Sequence, residues 1–375
     1  MLIWSIMEGS EYSAKIARGV TQACRVRGVD SRIGESVRGT LTELPTDADG
    51  FVAFISTPKI ADTLAADGRP VVNVSGRLPP DRLPFPSVLP DNRGVGRMAA
   101  GHLIHEGHRS LAYLFYTFSG RFTRERRAGF REGAGGRISR LAIGTGPGFK
   151  RMGSVEIDRR IRAWLAVLPR PVGLGLPEDL LARRVLPLCH ELGLEVPRDV
   201  AVIGTNNDDL LCESVDPPLT SIALNADRIG VEAAELLIRV LHGERPAERV
   251  VRVPPAGVVE RSSTAATSSD PAVAAALHWM RARVAAQPGS HQIAAAVGVS
   301  RSTLERRFRE QLGQSPASYM KRLRFRRACE MLTGTSQSLK QVAEACGFAN
   351  SQHMANTFRK QTGQSPSDWR RQRRV

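Results

Sequence analysis

The sequence predicts two architectures in one chain: an α/β part of two parallel sheets with a cleft between them, then an all-α part that repeats a helix-turn-helix. Three observations carry this. Up to residue 260, short apolar runs alternate with helix-period stretches, the pattern of parallel sheets covered by helices on both faces. Beyond residue 270 nothing resembles a strand. The charge is also lopsided: from Asp270 onward, 15 Arg and 3 Lys face 2 Asp and 4 Glu, a net of +12 out of +16 for the 375 residues. Such an excess marks a domain that meets a polyanion.

In chain order, residues 2–6, 52–55, 71–74, 111–115 and 200–203 read as buried strands. Helical periodicity covers 12–27, 59–67, 94–105, 124–133, 155–168, 180–192 and 227–241. About 260 residues is long for one such sheet, so two lobes are expected over 1–260. Arg261 to Ser269 is small, polar and aperiodic, which reads as a flexible linker running to residue 272. Ser269 or Asp270 can then cap a helix with Pro271 in its first turn, and Val273, Leu277, Met280 and Val284 follow at helical spacing.

Within 273–375 the chain repeats itself. Phe308 through Pro316 recurs 50 residues later as Phe358 through Pro366, and 293–298 matches 342–347 at an offset of 49. Each unit has a small-residue helix, a glycine suited to a left-handed turn (Gly298, Gly347), a polar cap (Ser300; Asn350 or Ser351) and a second helix. That is helix-turn-helix grammar written twice. With Leu304 and Phe308 inward, Arg301, Ser302, Glu305, Arg306 and Arg309 face out. With Met354 and Phe358 inward, Ser351, Gln352, His353, Asn356 and Arg359 do. Arg bridges guanine N7 and O6, Gln or Asn bridges adenine N7 and N6, and Lys and Arg at the ends of these helices hold phosphates. Double-stranded DNA is the expected partner; the plainer reading is a solvated face rich in arginine.

The motifs sharpen this. Val342–Phe348, Phe358-Arg359-Lys360 and Thr362–Arg370, ending in Trp369-Arg370, resemble the signature of the AraC family of transcription regulators. The resemblance implies that a linking helix, here 316–333, holds both units so that both recognition helices enter successive major grooves. The front part resembles the sugar-binding sensors of the LacI/GalR class, which share the periplasmic-binding-protein fold. The match stands on Leu89-Pro90-Asp91-Asn92, Glu106-Gly107-His108-Arg109, Arg126-Arg127-Ala128-Gly129-Phe130, 192–204 and Asn206-Asn207. Sensor first and AraC-type reader last is the order of the xylose-operon (XylR-type) regulators, which 261–273 and 298–308 also resemble. This implies a small-molecule effector, a sugar such as a pentose, and a homodimer that contacts RNA polymerase.

A sugar's hydroxyls both donate and accept, so carboxylates, amides and a guanidinium at strand ends suit it. Asp91, Arg126, Asp179, Asn206 and Asn207 are the polar candidates, with Tyr12, Phe118 and Phe122 available to cover the apolar face. Plainer roles are an ion pair of Arg126 with Glu125 or Glu132, a turn at Asn207 and helix packing at Tyr12. Asn206 departs from the resembled pattern, which has Asp there; the change removes an acceptor for two hydroxyls.

Other chemistry finds little footing. No apolar run approaches the ~20 residues of a bilayer span, and the N-terminus lacks a basic segment, so a cytoplasmic protein without membrane contact is expected. The five cysteines form no C-x-x-C pair. His102, His105 and His108 lack the order of a metal motif, Gly144–Gly148 has no following Lys-Ser/Thr, and no nucleophile elbow occurs. No metal, cofactor or catalysis is expected. The rival readings are a DNA binder with a ligand-free sensor and a binding protein with no DNA role.

Overall fold

Twelve strands are found in the computed structural model, which describes all residues except 36–40, 42, 117–119, 137, 144–152, 266, 267, 269, 336, 363, 374 and 375. The first five are β1 (Leu2–Met7), β2 (Asp30–Glu35), β3 (Gly50–Ala53), β4 (Val71–Asn73) and β5 (Ser87–Pro90). Then come β6 (Ser110–Tyr116), β7 (Ser139–Ile143), β8 (Val172–Gly175), β9 (Val200–Thr205) and β10 (Thr220–Ala223), and finally β11 (Val250–Val253) and β12 (Gly257–Val259). They form two six-stranded sheets, β11-β5-β4-β3-β1-β2 and β12-β10-β9-β8-β6-β7, with every pair parallel except β10–β12. The last strand of each sheet arrives from the far end of the chain. The backbone therefore crosses between lobes three times: after β5, after β10 and between β11 and β12.

Each lobe buries its own helix–sheet core. Ile3, Val52, Val72 and Val88 pack on Ile229 and Leu237 of helix Ala226–Leu241, while Ala112, Leu174 and Val202 pack on Leu165, Val185 and Leu188. All seven expected sensor helices are present, beginning at Glu11–Arg27, where Ser10 accepts from the Ser13 amide and Gly28 closes the helix at φ 66°. The expected strands fall within or overlap β1, β3, β4, β6 and β9. Among the remaining strands, β2 and β7 carry polar residues, β11 and β12 are only partly covered, and β8 places Gly173 and Gly175 among its apolar residues.

The linker needs correction at its front end. Ser263 and Thr264 are fully buried, Ser263 Oγ donates to the Val202 carbonyl at 2.6 Å, and Arg261 Nη1 donates to Asn207 Oδ1 at 2.9 Å. Small hydroxyl side chains without periodicity are here strand-edge cement, satisfying buried backbone groups of β9 and β10. Past it, Asp270 caps helix Pro271–Ala282 by accepting from the Ala272 and Val273 amides at 2.9 and 3.1 Å.

Among the described residues beyond 270, seven α-helices follow: Pro271–Ala282, Ser290–Ala296, Arg301–Leu312, Pro316–Gly334, Leu339–Ala345, Ser351–Thr362 and Pro366–Arg373. Two separate cores hold them. Leu277, Met280, Ile293, Leu304 and Phe308 close over Tyr319 and Leu323, and Val342, Met354, Phe358 and Trp369 over Ala328 and Leu332. One 19-residue helix thus belongs to both units, spanning ~28 Å at 1.5 Å per residue. Among the described residues, no helix is long and apolar enough to cross a membrane.

Candidate ligand cleft and nucleic-acid interface

Glycines set the first part of the cleft. Helix Gly120–Gly133 lies so close to helix Asn92–His105 that a Cβ on Gly96 would stand 2.0 Å from the Arg126 carbonyl oxygen, and one on Gly129 2.0 Å from that of Arg93. This contact fixes Arg126 against Asn92. Arg126 is buried; its Nε donates to Asn92 Oδ1 at 2.9 Å, and Nη1 to the Pro177 carbonyl at 2.5 Å and Asn206 Oδ1 at 3.4 Å. Its guanidinium also lies 5.0 Å from the centre of the Phe122 ring. Burial lowers its pKa from the usual guanidinium range, while the nearby Tyr113 and Glu178 draw it back up.

Around Arg126 lies a cavity of about 200 Å³ between the lobes. The first lobe contributes Glu8, Glu11, Tyr12, Lys15, Phe54 and Arg77; Asn92, Phe122, Glu178, Asn206 and Asp208 line the other side. Most of the charges are already answered. Arg77 pairs with Glu8 at 3.4 Å, and Lys15 with Glu11 at 2.6 Å while donating to the Asn207 carbonyl at 2.8 Å. Asp208 caps its own short helix by accepting from the Leu211 amide. Tyr12 stands edge-on to Phe54 with ring centres 6.4 Å apart.

Of the sequence candidates, Tyr12, Phe122, Arg126 and Asn206 meet at this cavity, and three do not line it. Asp91 is the N-cap of helix Asn92–His105: it accepts from the Gly94 amide at 2.9 Å and pairs with Arg97 at 3.6 Å. It borders a separate open depression among Arg82, Arg93, Arg121 and Arg252. Asp179 lies behind the cavity, 1% exposed, accepting from Ser221 Oγ at 2.6 Å and the Asp208 amide at 3.0 Å. Burial pushes its carboxyl up to about 6. Gly204 is required beside it, since a Cβ there would come within 2.1 Å of Asp179 Oδ1. Asn207, at φ 49°, is a turn residue held by Arg261. Phe118 and Gly144–Gly148 lie outside the described residues. Sequence reasoning missed Asn92, Glu178, Glu8, Glu11, Lys15 and Arg77, although Glu8 and Glu178 follow strand ends as such sites require.

The outward faces of the two helix-turn-helix units are mostly exposed. Arg301, Ser302, Arg306, Arg309, Ser351, Gln352, His353, Asn356 and Arg359 are exposed, and Glu305 is half-buried. Their local ties are weak surface contacts: Arg301 to Glu305 at 2.9 Å, Arg306 to Glu310 at 2.8 Å, Gln352 Nε2 to Asn356 Oδ1 at 3.2 Å. His353 packs edge-on against Phe348, ring centres 5.7 Å apart. Ser300 and Asn350 cap the two helices, accepting from Thr303 and His353 amides.

The two parts join through ion pairs between residues far apart along the chain. Arg326 of the linking helix pairs with Glu260 and lies 3.7 Å from Glu106, while Arg322 lies 3.9 Å from Glu106. Gln314 donates to the His105 carbonyl at 3.3 Å. His102 Nε2 lies 2.8 Å from Thr264 Oγ1, and burial pushes this imidazole well below its usual range. Ligand-type atoms of His102, Glu106 and Glu260 converge within 4.8 Å, but the guanidinium of Arg326 already supplies the positive charge there. Helix Asn92–His105 thus runs from the cavity to this junction, ~21 Å at 1.5 Å per residue for its 14 residues.

Known proteins resemble the chain in both parts. Residues 100–264 match the family model of a periplasmic binding protein-like domain, ending where the packed segment ends, and 293–372 match that of a helix-turn-helix domain. The xylose operon regulatory protein of Escherichia coli K12 is 30% identical over 328 residues, covering 86% of this chain and 83% of that protein. The protein of the same name in Haemophilus influenzae is 28% identical over 327 residues, covering 86% and 84%. The solved structure of the xylose-binding transcription activator XylR aligns over 100% of this chain and 99% of its own, with a TM-score of 0.62 and 26% identity.

Proposed function

The chain belongs to the family of the xylose operon regulatory proteins and is a DNA-binding transcription regulator; on that premise we propose that a monosaccharide, first of all a pentose such as xylose, occupies the cavity between the lobes and governs how the reader meets DNA. The buried Arg126, held by Asn92 and Pro177 with its guanidinium at the cavity, carries this reading. About 200 Å³ is room for roughly six or seven waters at ~30 Å³ each, the scale of one sugar ring. Arg126 and Asn206 serve hydroxyls, Tyr12 and Phe122 cover the apolar face, and Asp91, Asp179 and Asn207 brace the walls.

On the DNA side, Arg301, Ser302, Glu305, Arg306 and Arg309 meet one major groove and Ser351, Gln352, His353, Asn356 and Arg359 the next, some on bases and some on phosphates. The protein works in the cytoplasm as a homodimer, binds and does not catalyse, and contacts RNA polymerase beside the operator. A thermal-shift screen of D-xylose, L-arabinose, D-ribose, D-glucose and D-glucuronate tests the sensor, because a ligand of the native state raises the melting temperature. No shift with any sugar would remove the sugar reading. Sedimentation with and without operator DNA tests the dimer.

A further inference from the structure

We propose that Glu178 is the residue that selects the effector, accepting two neighbouring hydroxyls of a neutral sugar and repelling sugar acids. This rests on the reading that the cavity holds a sugar.

The argument begins with the charges lining the cavity. Four are acidic (Glu8, Glu11, Glu178, Asp208) and three basic (Lys15, Arg77, Arg126), a net of −1. Six of the seven are engaged by the protein: two ion pairs, one helix cap and the guanidinium bound to Asn92 and Pro177. Glu178 makes no side-chain hydrogen bond or ion pair among the described residues. It is half-buried, and desolvation pushes its carboxyl up while Arg126 and Arg77 draw it down. A desolvated carboxylate with about four lone-pair sites and no donor is unfavourable until a ligand brings donors.

Its direction is prepared. Glu178 follows β8 in extended backbone, φ −149°, and the next residue, Asp179, is anchored to Ser221 and to the Asp208 amide. Asn206 cannot replace it, because the Asn206 Oδ1 already faces Arg126 and its amide nitrogen only donates. The guanidinium therefore has a free carboxylate and an amide as neighbours in the same cavity. Adjacent hydroxyls can donate to the carboxylate and accept from the guanidinium, both charge-assisted bonds. A uronate or aldonate adds an anion to a lining that is already negative, and like charges brought together in a partly desolvated site exclude the wrong ligand.

The test is calorimetry on the full-length protein with D-xylose, L-arabinose, D-ribose and D-glucose against D-xylonate and D-glucuronate, on the parent, Glu178→Gln, Glu178→Asp and the double variant Glu178→Gln/Asn206→Asp. The parent should bind a neutral sugar and no acid. Glu178→Gln should bind that sugar at least tenfold more weakly and narrow its preference over the acids. Glu178→Asp, which keeps the charge on a shorter arm, should weaken binding but keep the acids out. The double variant, with a carboxylate restored beside Arg126, should recover at least fivefold over Glu178→Gln, a rescue that a merely structural role would not give. Parent-like affinity and selectivity in Glu178→Gln would overturn the role of Glu178 while leaving the sugar site standing. A parent that binds none of the neutral sugars overturns the sugar reading and this proposal with it.

Discussion

The two candidate binding surfaces are built in opposite ways. In the reader, nine of the ten candidate residues are exposed, each on one of two short helices, with side-chain ties to neighbours two to five residues away. In the sensor, the organising side chain is buried, and its three partners stand 34, 51 and 80 residues away along the chain. An exposed face can trade one partner for another at little cost, since surface pairs are worth a few tenths of a kcal/mol. A buried guanidinium cannot, because every acceptor around it would be left without its donor. Loss of the buried guanidinium should therefore affect folding as well as binding, whereas loss of an exposed reader residue should affect binding alone.

The hardest break of that comparison is Arg126→Ala. Removing a charged donor from buried Asn92 and Pro177 should cost about 2–4 kcal/mol of sensor stability and more than a hundredfold in sugar affinity. Calorimetry and thermal unfolding report both, and an unchanged midpoint would contradict the contrast. Arg306→Ala comes next. It should weaken cognate DNA by roughly 1–3 kcal/mol with no change in midpoint, and Gln352→Ala should act likewise about one helical turn (~10 bp) away. Equal losses on cognate and random DNA, read by fluorescence anisotropy, would move these residues to the phosphates.

Asp91→Ala should be smaller and purely structural: about 1 kcal/mol from the lost helix cap, with sugar affinity unchanged within twofold. A large affinity loss would return Asp91 to the ligand. The smallest effects come from titration. Between pH 4 and 6.5 the unfolded chain protonates His108, which burial holds down at about 4, so stability rises with pH there; His102 acts in the same direction. Asp179, raised from 3.8 to about 6, holds in the folded state a proton that the unfolded chain has lost, so its contribution falls as pH rises through the same window. The midpoint should climb from pH 4.5 to 6.5, more steeply in Asp179→Asn and less steeply in His108→Gln.

Asp91 and Asn92 show how far pattern reaches into the cleft. Both follow β5 and both are polar, so proximity to a strand end selects either. One residue is ~100° around a helix, and that rotation puts Asn92 at the cavity and Asp91 on its own helix cap. Asp179 and Glu178 repeat the lesson after β8, with the residue that looked like a ligand site bracing the wall and its neighbour lining the space.

Helix-turn-helix identity, the duplicated units, their outward residues, the capping residues and the α/β alternation all follow from intervals of four residues or fewer, or from a repeat laid along the chain. Such intervals are governed by backbone geometry and local hydrogen bonding, so they can be read without knowing the fold. The cavity joins segments as far apart as Lys15 and Asn207, 192 residues, while the buried guanidinium and the Arg326–Glu260 junction depend on segments up to 80 and 66 residues apart. Their contacts exist only once helices 92–105 and 120–133 close at Gly96 and Gly129, and once the linking helix docks on the sensor. Charge pairing and desolvation are set by that packing, and no local sequence interval encodes them.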